Sequence, residues 1–179
     1  MKNKKMWIIV GVIAVIVVWA ISAYNGLVSK ETSVEEAWAN VETVYQRRSD
    51  LIPNLVSTVK GYAAHEAETL ESVTAARSAA TSINIDPSTA TPEEMEQWMA
   101  AQDEVGRALG RLIAISESYP ALKANQNFRD LQVQLEGTED RISTERRKYN
   151  EAVKKYNVKI RRFPTNLIAS MFGFERKAM

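Results

Sequence analysis

Between Lys5 and Lys30 the chain runs for 24 residues without a charged side chain, and the centre of that stretch, Trp7 to Tyr24, reads WIIVGVIAVIVVWAISAY. A helix of about 20 apolar residues crosses the roughly 30 Å hydrocarbon core of a bilayer. Trp7 near one end, and Trp19 and Tyr24 near the other, suit the two interfacial belts. A cleaved secretory signal competes, with Lys2, Lys4 and Lys5 as its basic leader. The apolar run exceeds the roughly 7–15 residues usual in such signals, and the cleavage sites around Ala20 to Ala23 are weak. An uncleaved signal-anchor is expected: residues 1–5 as a cytoplasmic N-terminus, a transmembrane helix over 6–26 embedded in the lipid bilayer, and an exported domain over 27–179.

Positive charge sets the orientation. Three lysines precede the span and only Lys30 follows within about 15 residues, so the positive-inside rule keeps the N-terminus in the cytoplasm. The exported part carries 20 basic and 22 acidic residues. That balance and that location leave no role in nucleic-acid binding.

Beyond the span, helical periodicity dominates. Val34, Trp38, Val41, Tyr45, Ile52, Leu55, Val59 and Tyr62 step by threes, fours and one seven, and Leu70, Val73 and Ala76 follow. The pattern predicts one amphipathic helix over about 33–80, roughly 70 Å long. Ser33 with Glu36 forms a capping box at its start, unless the transmembrane helix runs straight into it. Pro53 removes a backbone donor and crowds the preceding turn, so a kink is expected there rather than an end. Residues 81–91, TSINIDPSTAT, break the pattern. Thr91-Pro92-Glu93-Glu94 then opens a second helix over about 92–118, with a threonine cap, proline at the first position and glutamate at the third.

In the third helix, over about 126–163, Phe128, Leu135, Ile142, Tyr149, Tyr156 and Phe163 fall at steps of seven. The intervening positions are apolar only at Leu131 and Ala152, so this coiled-coil-like repeat describes a bundle helix with a narrow buried stripe. Pro164 ends it, and a short amphipathic helix is expected over about 165–172. The fold class is therefore all-α: an N-terminal transmembrane helix followed by an up-down-up bundle of long antiparallel helices. The first helix outruns the other two, at about 40 and 55 Å, so one chain cannot cover its stripe. Homo-oligomerisation is expected in consequence, with Trp38 and Tyr45 as contacts close to the membrane.

The chain has little catalytic vocabulary. It contains no Cys and a single His, His65, which removes thiol chemistry and Cys-based metal sites. His65-Glu66 begins like a zinc-protease motif, but Thr69 stands where the second histidine is needed. No catalytic residue, cofactor site or metal ligand is assigned. Asn54, Thr58, Gly61 and His65 are spaced by four, three and four along one helix face. Small and polar residues in line suit a close helix crossing. Asn150 and Asn157 on the third helix are the candidate internal partners; an interface to another subunit or protein and a ligand groove are the alternatives. Arg141 to Arg162 carries nine basic and two acidic residues. This helix pairs with the acidic second helix and its loop, lies with the apolar tail on anionic lipid, or meets another partner.

Several short runs occur together: RSDLIPNLV at 48–56, TVKGY at 58–62, His65-Glu66, YPALKAN at 119–125, Asn127-Phe128, Tyr149-Asn150, Tyr156-Asn157, FPTN at 163–166 and Gly173-Phe174. In these the chain resembles the LemA family of bacterial membrane proteins, from about residue 24 to 174. The resemblance implies a single N-terminal span, a helical exported domain and no established catalytic activity. It implies the bacterial cytoplasmic (inner) membrane as location, and membrane proteases among the possible envelope partners. After Phe174 the sequence lacks the aromatic tail associated with many members. The function expected is a membrane-anchored, non-enzymatic scaffold or adaptor of the envelope working through helix–helix contacts. The alternatives are an accessory factor of a membrane protease and an enzyme centred on His65.

Overall fold

The computed structural model describes residues 2–179, with side chains from Lys4 onward; Met1, part of the expected segment 1–5, lies outside the described residues. Helix α1 runs from Lys2 to Lys60 as one element of 59 residues. The apolar stretch and the first bundle helix are thus continuous. Among the described residues α1 is the one helix long and apolar enough to cross a membrane. Ser33 is not a cap: its hydroxyl donates to the Ser29 carbonyl at 2.8 Å, a back-bond available to any serine inside a helix. Pro53 stands on the exposed side and α1 continues past it to Lys60.

The helix expected as one piece over 33–80 is two. The chain turns over residues 61–66, and α2, Ala67–Ser82, returns along α1. Gly61 weakens helix propagation by about 1 kcal/mol relative to alanine. The last carbonyls of α1 are satisfied inside the turn, Ser57 by the Gly61 N–H and Val59 by the N–H groups of Tyr62 and Ala63. Ala63 closes onto the core, whereas Tyr62, expected on the buried stripe, is exposed.

The loop 83–91 is pinned by Asp86, whose carboxylate accepts from the Ser88 N–H at 2.8 Å and the Ser88 hydroxyl at 2.6 Å. Helix α3, Pro92–Ile115, opens with the expected capping box: the Thr91 hydroxyl accepts from the Glu94 N–H, and the Glu94 carboxylate from the Thr91 N–H. A 3-10 turn, Ser116–Ser118, and the single-turn α4, Pro120–Lys123, lead to α5, Gln126–Arg161, capped by Asn125 accepting from the Phe128 N–H at 2.9 Å. Helix α6, Thr165–Phe172, ends at Gly173, which takes a left-handed φ of 72°.

Four bundle helices therefore alternate in direction, not three. Helix α5 lies antiparallel to α1, with Tyr149 against Trp38, Glu139 against Arg48, and Phe128 in the cluster of Val59 and Ala63. At 36 residues it matches the bundle part of α1, so the overhang inferred from unequal helix lengths does not exist. Helices α2 and α3 cover the remaining side. The core has two apolar clusters. The one nearer the apolar end holds Leu27, Val34, Trp38, Trp98, Tyr149 and Tyr156. The far one holds Ile52, Leu55, Val73, Leu109, Leu112 and Phe128.

Candidate functional site

Where the two clusters meet, the helices contribute polar side chains. In α1 the apolar stripe jumps from Tyr45 to Ile52, and the turn it skips contains Arg48 and Ser49, both buried. Arg48 is 3% exposed. Its guanidinium donates to the Gln102 carbonyl at 2.8 Å, to the Gln102 side-chain Oε1 at 2.7 Å and to Glu139 Oε1 at 3.2 Å. It also lies over the Tyr45 ring, 4.9 Å from the centroid. One side chain of α1 thus ties α3 and α5 together. A cavity of about 150 Å³ opens beside it, lined by Tyr45, Ser49, Arg77 and Trp98 among others. Arg77 reaches across from α2, its Nε donating to the Ser49 carbonyl at 2.9 Å. Burial holds the Tyr45 phenol above its ordinary pKa, with the charges of Arg146 and Arg48 working against that rise.

Trp38 and Tyr45, expected as oligomer contacts, are interior residues. Trp38 packs between Trp98 (4.9 Å between ring centroids) and Tyr149 (5.1 Å), and Tyr45 meets Trp98 edge-on at 4.8 Å. The rings that would bury most area against a second copy already bury it against α3 and α5.

The line Asn54, Thr58, Gly61 and His65 lies at the far end of α1 and in the following turn. Asn54, Gly61 and His65 are exposed; Thr58 is half-buried and its hydroxyl donates to the Asn54 carbonyl at 2.8 Å. The structure does not bring them to Asn150 and Asn157, which sit beside the near cluster. Asn150 is exposed, and Asn157 clasps the C-terminal tail, donating to the Lys177 carbonyl at 2.9 Å and accepting from the Lys177 N–H at 3.0 Å. The tail is held further by Tyr149, whose hydroxyl donates to the Ala178 carbonyl at 3.1 Å, and by the Lys177 ammonium on Glu31 at 2.8 Å. The far tip is closed by Asn125 donating to the Tyr62 hydroxyl (2.8 Å) and by the Tyr119 hydroxyl donating to Glu66 (3.1 Å). That second bond is the main cause of a raised Tyr119 pKa. Among the described residues no three His, Asp or Glu side chains gather to hold a metal ion.

Of the nine basic residues from Arg141 to Arg162, Arg146 reaches Asp103 on α3 at 3.1 Å, and Lys148 pairs with Glu145 of its own helix at 2.8 Å. Arg141, Arg147, Lys154, Lys155, Arg161 and Arg162 are exposed. The expected neutralisation by α3 is therefore carried by one cross-helix pair among the described residues.

The sequence model of the LemA family matches residues 37–179, from the second half of α1 to Met179. The chain belongs to the LemA family. It is similar to two magnetosome proteins, MamQ 2 of Paramagnetospirillum magneticum (29% identical over 174 residues, 86% of this chain and 62% of the relative) and MamQ of Magnetospirillum gryphiswaldense (28% over 172 residues, 86% and 62%). It is also similar to the protein LemA of Metamycoplasma hominis, 27% identical over 145 residues, 81% of this chain and 63% of the relative. The chain thus spans less than two thirds of the length of these curated relatives. The LemA family and the long apolar α1 together fit a membrane-associated, single-pass protein of the envelope.

Within this LemA-family chain the motif runs hold the bundle's joints. Arg48 holds the middle layer, Tyr62, Glu66, Tyr119 and Asn125 the far tip, and Tyr149 and Asn157 the tail. Arg48 had a signal in the sequence: the step of seven in an otherwise three-and-four stripe marks a turn whose inward positions are polar.

Proposed function

We propose that the protein is a membrane-anchored, non-enzymatic scaffold of the bacterial envelope that presents outward helix faces to partners at a set height above the bilayer. The supporting observation is the unbroken α1, which carries the apolar stretch into the bundle with no linker between them. By helix rise, Tyr24 to Lys60 stands about 54 Å tall. The N-terminus lies in the cytoplasm and the bundle outside, in keeping with the lysines before the span. The outward line of Asn54, Thr58, Gly61 and His65 is the contact face of this post. Its partner is a second copy or another envelope membrane protein, a membrane protease included.

A photo-crosslinking residue placed at Asn54 in intact membranes is expected to capture a defined partner band, and one at buried Val59 none. His65→Ala should leave assembly and phenotype nearly intact. Complete loss of function by a normally folded His65→Ala protein would favour an enzyme or protease cofactor instead. Protease added to spheroplasts should digest the bundle, and an intact bundle there would reverse the topology.

A further inference from the structure

Helix α6 has two unlike faces. Thr165, Ile168 and Ala169 are buried against the bundle. On the other side Leu167 is 53% exposed, Met171 76% and Phe172 58%, and Phe163, one turn earlier, is 80% exposed. Leu167 and Met171 lie four apart on α6 and so share one line of that face, and Phe163, in the turn just before the helix, adds a third exposed apolar side chain. A soluble bundle gains nothing by turning such a line to water; each large apolar side chain left exposed forgoes about 1.5–3 kcal/mol.

The place of α6 says what covers the line. Ile168 and Ala169 share a cluster with Ala23 and Leu27 of α1, and Ala20 packs on it. The Phe172 and Phe174 rings lie 4.9 and 5.7 Å from the Tyr24 ring. Helix α6 therefore docks on α1 where the charge-free stretch ends. From Trp7 to Tyr24, 18 residues rise about 27 Å, close to a full hydrocarbon thickness. The exposed face is level with the headgroup boundary, where Ile21 and Val28 of α1 are exposed as well. Lys159, Arg161 and Arg162 precede it, and no acidic residue occurs between Glu151 and Glu175. A short helix with an apolar face and a basic rim is the pattern of interfacial membrane helices.

The geometry points to α6 as a second membrane contact: a helix lying in the interface of the leaflet that the span leaves, with Phe163, Leu167 and Met171 among the acyl chains and Arg161 and Arg162 on anionic headgroups. This rests on α1 crossing the bilayer, and the test separates the two claims. The chain has no cysteine, so single spin labels can be placed without background on Leu167→Cys, Met171→Cys, Ile13→Cys and Val133→Cys. The full-length protein is reconstituted in phosphatidylcholine–phosphatidylglycerol vesicles, and oxygen and nickel-chelate accessibilities are compared at each label. Helicity and melting of each labelled protein serve as the folding control.

Labels at 167 and 171 are expected to be oxygen-accessible and nickel-shielded, about 5–10 Å below the phosphates. The label at 13 should lie deeper and the one at 133 in water. The depth at 171 should decrease when phosphatidylglycerol is omitted or when Arg161→Gln and Arg162→Gln are introduced; a depth indifferent to both overturns the anionic preference. Nickel accessibility at 167 and 171 equal to that at 133, with 13 buried, overturns the interfacial helix alone. Strong label–label coupling at 171 overturns it too, because a second copy then covers the face. A water-exposed label at 13 overturns the span.

Discussion

Replacing Arg48 by alanine tests whether the polar layer between the two apolar clusters holds the bundle together. Three hydrogen bonds are lost, two of them to Gln102 at 2.7 and 2.8 Å in a buried setting. Hydrogen bonds to a charged group contribute about 1.5–3 kcal/mol net, and a buried acceptor left unpaired costs about 1–3 kcal/mol. The Glu139 carboxylate is 42% exposed, so water replaces Arg48 there and that pair adds under about 1 kcal/mol. Relief of the guanidinium's own desolvation cost offsets part of the loss. The net expectation is a destabilisation of about 3 kcal/mol, or roughly 6–12 °C in Tm for a domain of this size. The assay is thermal unfolding of the full chain in detergent micelles, followed by tryptophan emission. Trp38 and Trp98 pack against each other in the core next to this layer, while Trp7 and Trp19 in the apolar stretch serve as background. A double-mutant cycle should assign about 1–2 kcal/mol of coupling to Arg48 with Gln102 and less to Arg48 with Glu139. An Arg48→Ala protein within about 0.5 kcal/mol of the parent, or the larger coupling at Glu139, would refute the reasoning.

Two further outcomes follow from the packing. Trp38→Ala should destabilise the isolated chain by about 3–5 kcal/mol, as for a large aromatic removed from a core; a normal melting curve with altered membrane crosslinking would return Trp38 to a surface role. Burial pushes the Tyr149 phenol up to about 12 from an ordinary 10.0, and burial with the nearby Glu31 and Glu175 does the same for Tyr156. The folded chain then keeps protons that the unfolded chain releases, so this share of stability is complete below pH 10 and declines as pH climbs toward 12. Melting curves across that window should fall less steeply for the Tyr149→Phe, Tyr156→Phe double variant, and identical slopes would refute the assignment.

What the sequence made legible was whatever has a local cause. The charge-free run, the Thr91–Glu94 capping box and the seven-residue steps from Phe128 to Tyr156 each have a signature within a turn or two, and each falls in a helix, α1, α3 and α5 in turn. The reversal at 61–66 was hidden because the turn keeps the apolar phase: Ala63 and Leu70, seven apart, face the same core from opposite sides of the bend. Gly61 alone marks it, and one glycine is too small a penalty to end a helix unless α2 gains more by folding back onto α3. The candidate face suffered from the same error. On a straight helix Asn54 to His65 make one face; the bend takes Gly61 and His65 out of that line, while Asn54 and half-buried Thr58 remain on α1 beside the stripe of Leu55 and Val59. The tail was illegible for a different reason, since Lys177 finds Glu31 and Asn157 only through tertiary proximity.

The continuity of α1 has a mechanical consequence. Transmembrane helices tilt to match the thickness of their bilayer, by about 20° on average. With α1 continuous from Lys2 to Lys60, the proposed seating of its apolar stretch in lipid would make the post a lever with its short arm in the bilayer. A 10° change of tilt carries the Gly61 turn sideways by about 9 Å, on a lever of about 54 Å. Rotation of the span about its own axis turns every outward residue of the bundle by the same angle. In that arrangement bilayer thickness would set the position of Asn54 and His65, far from any lipid.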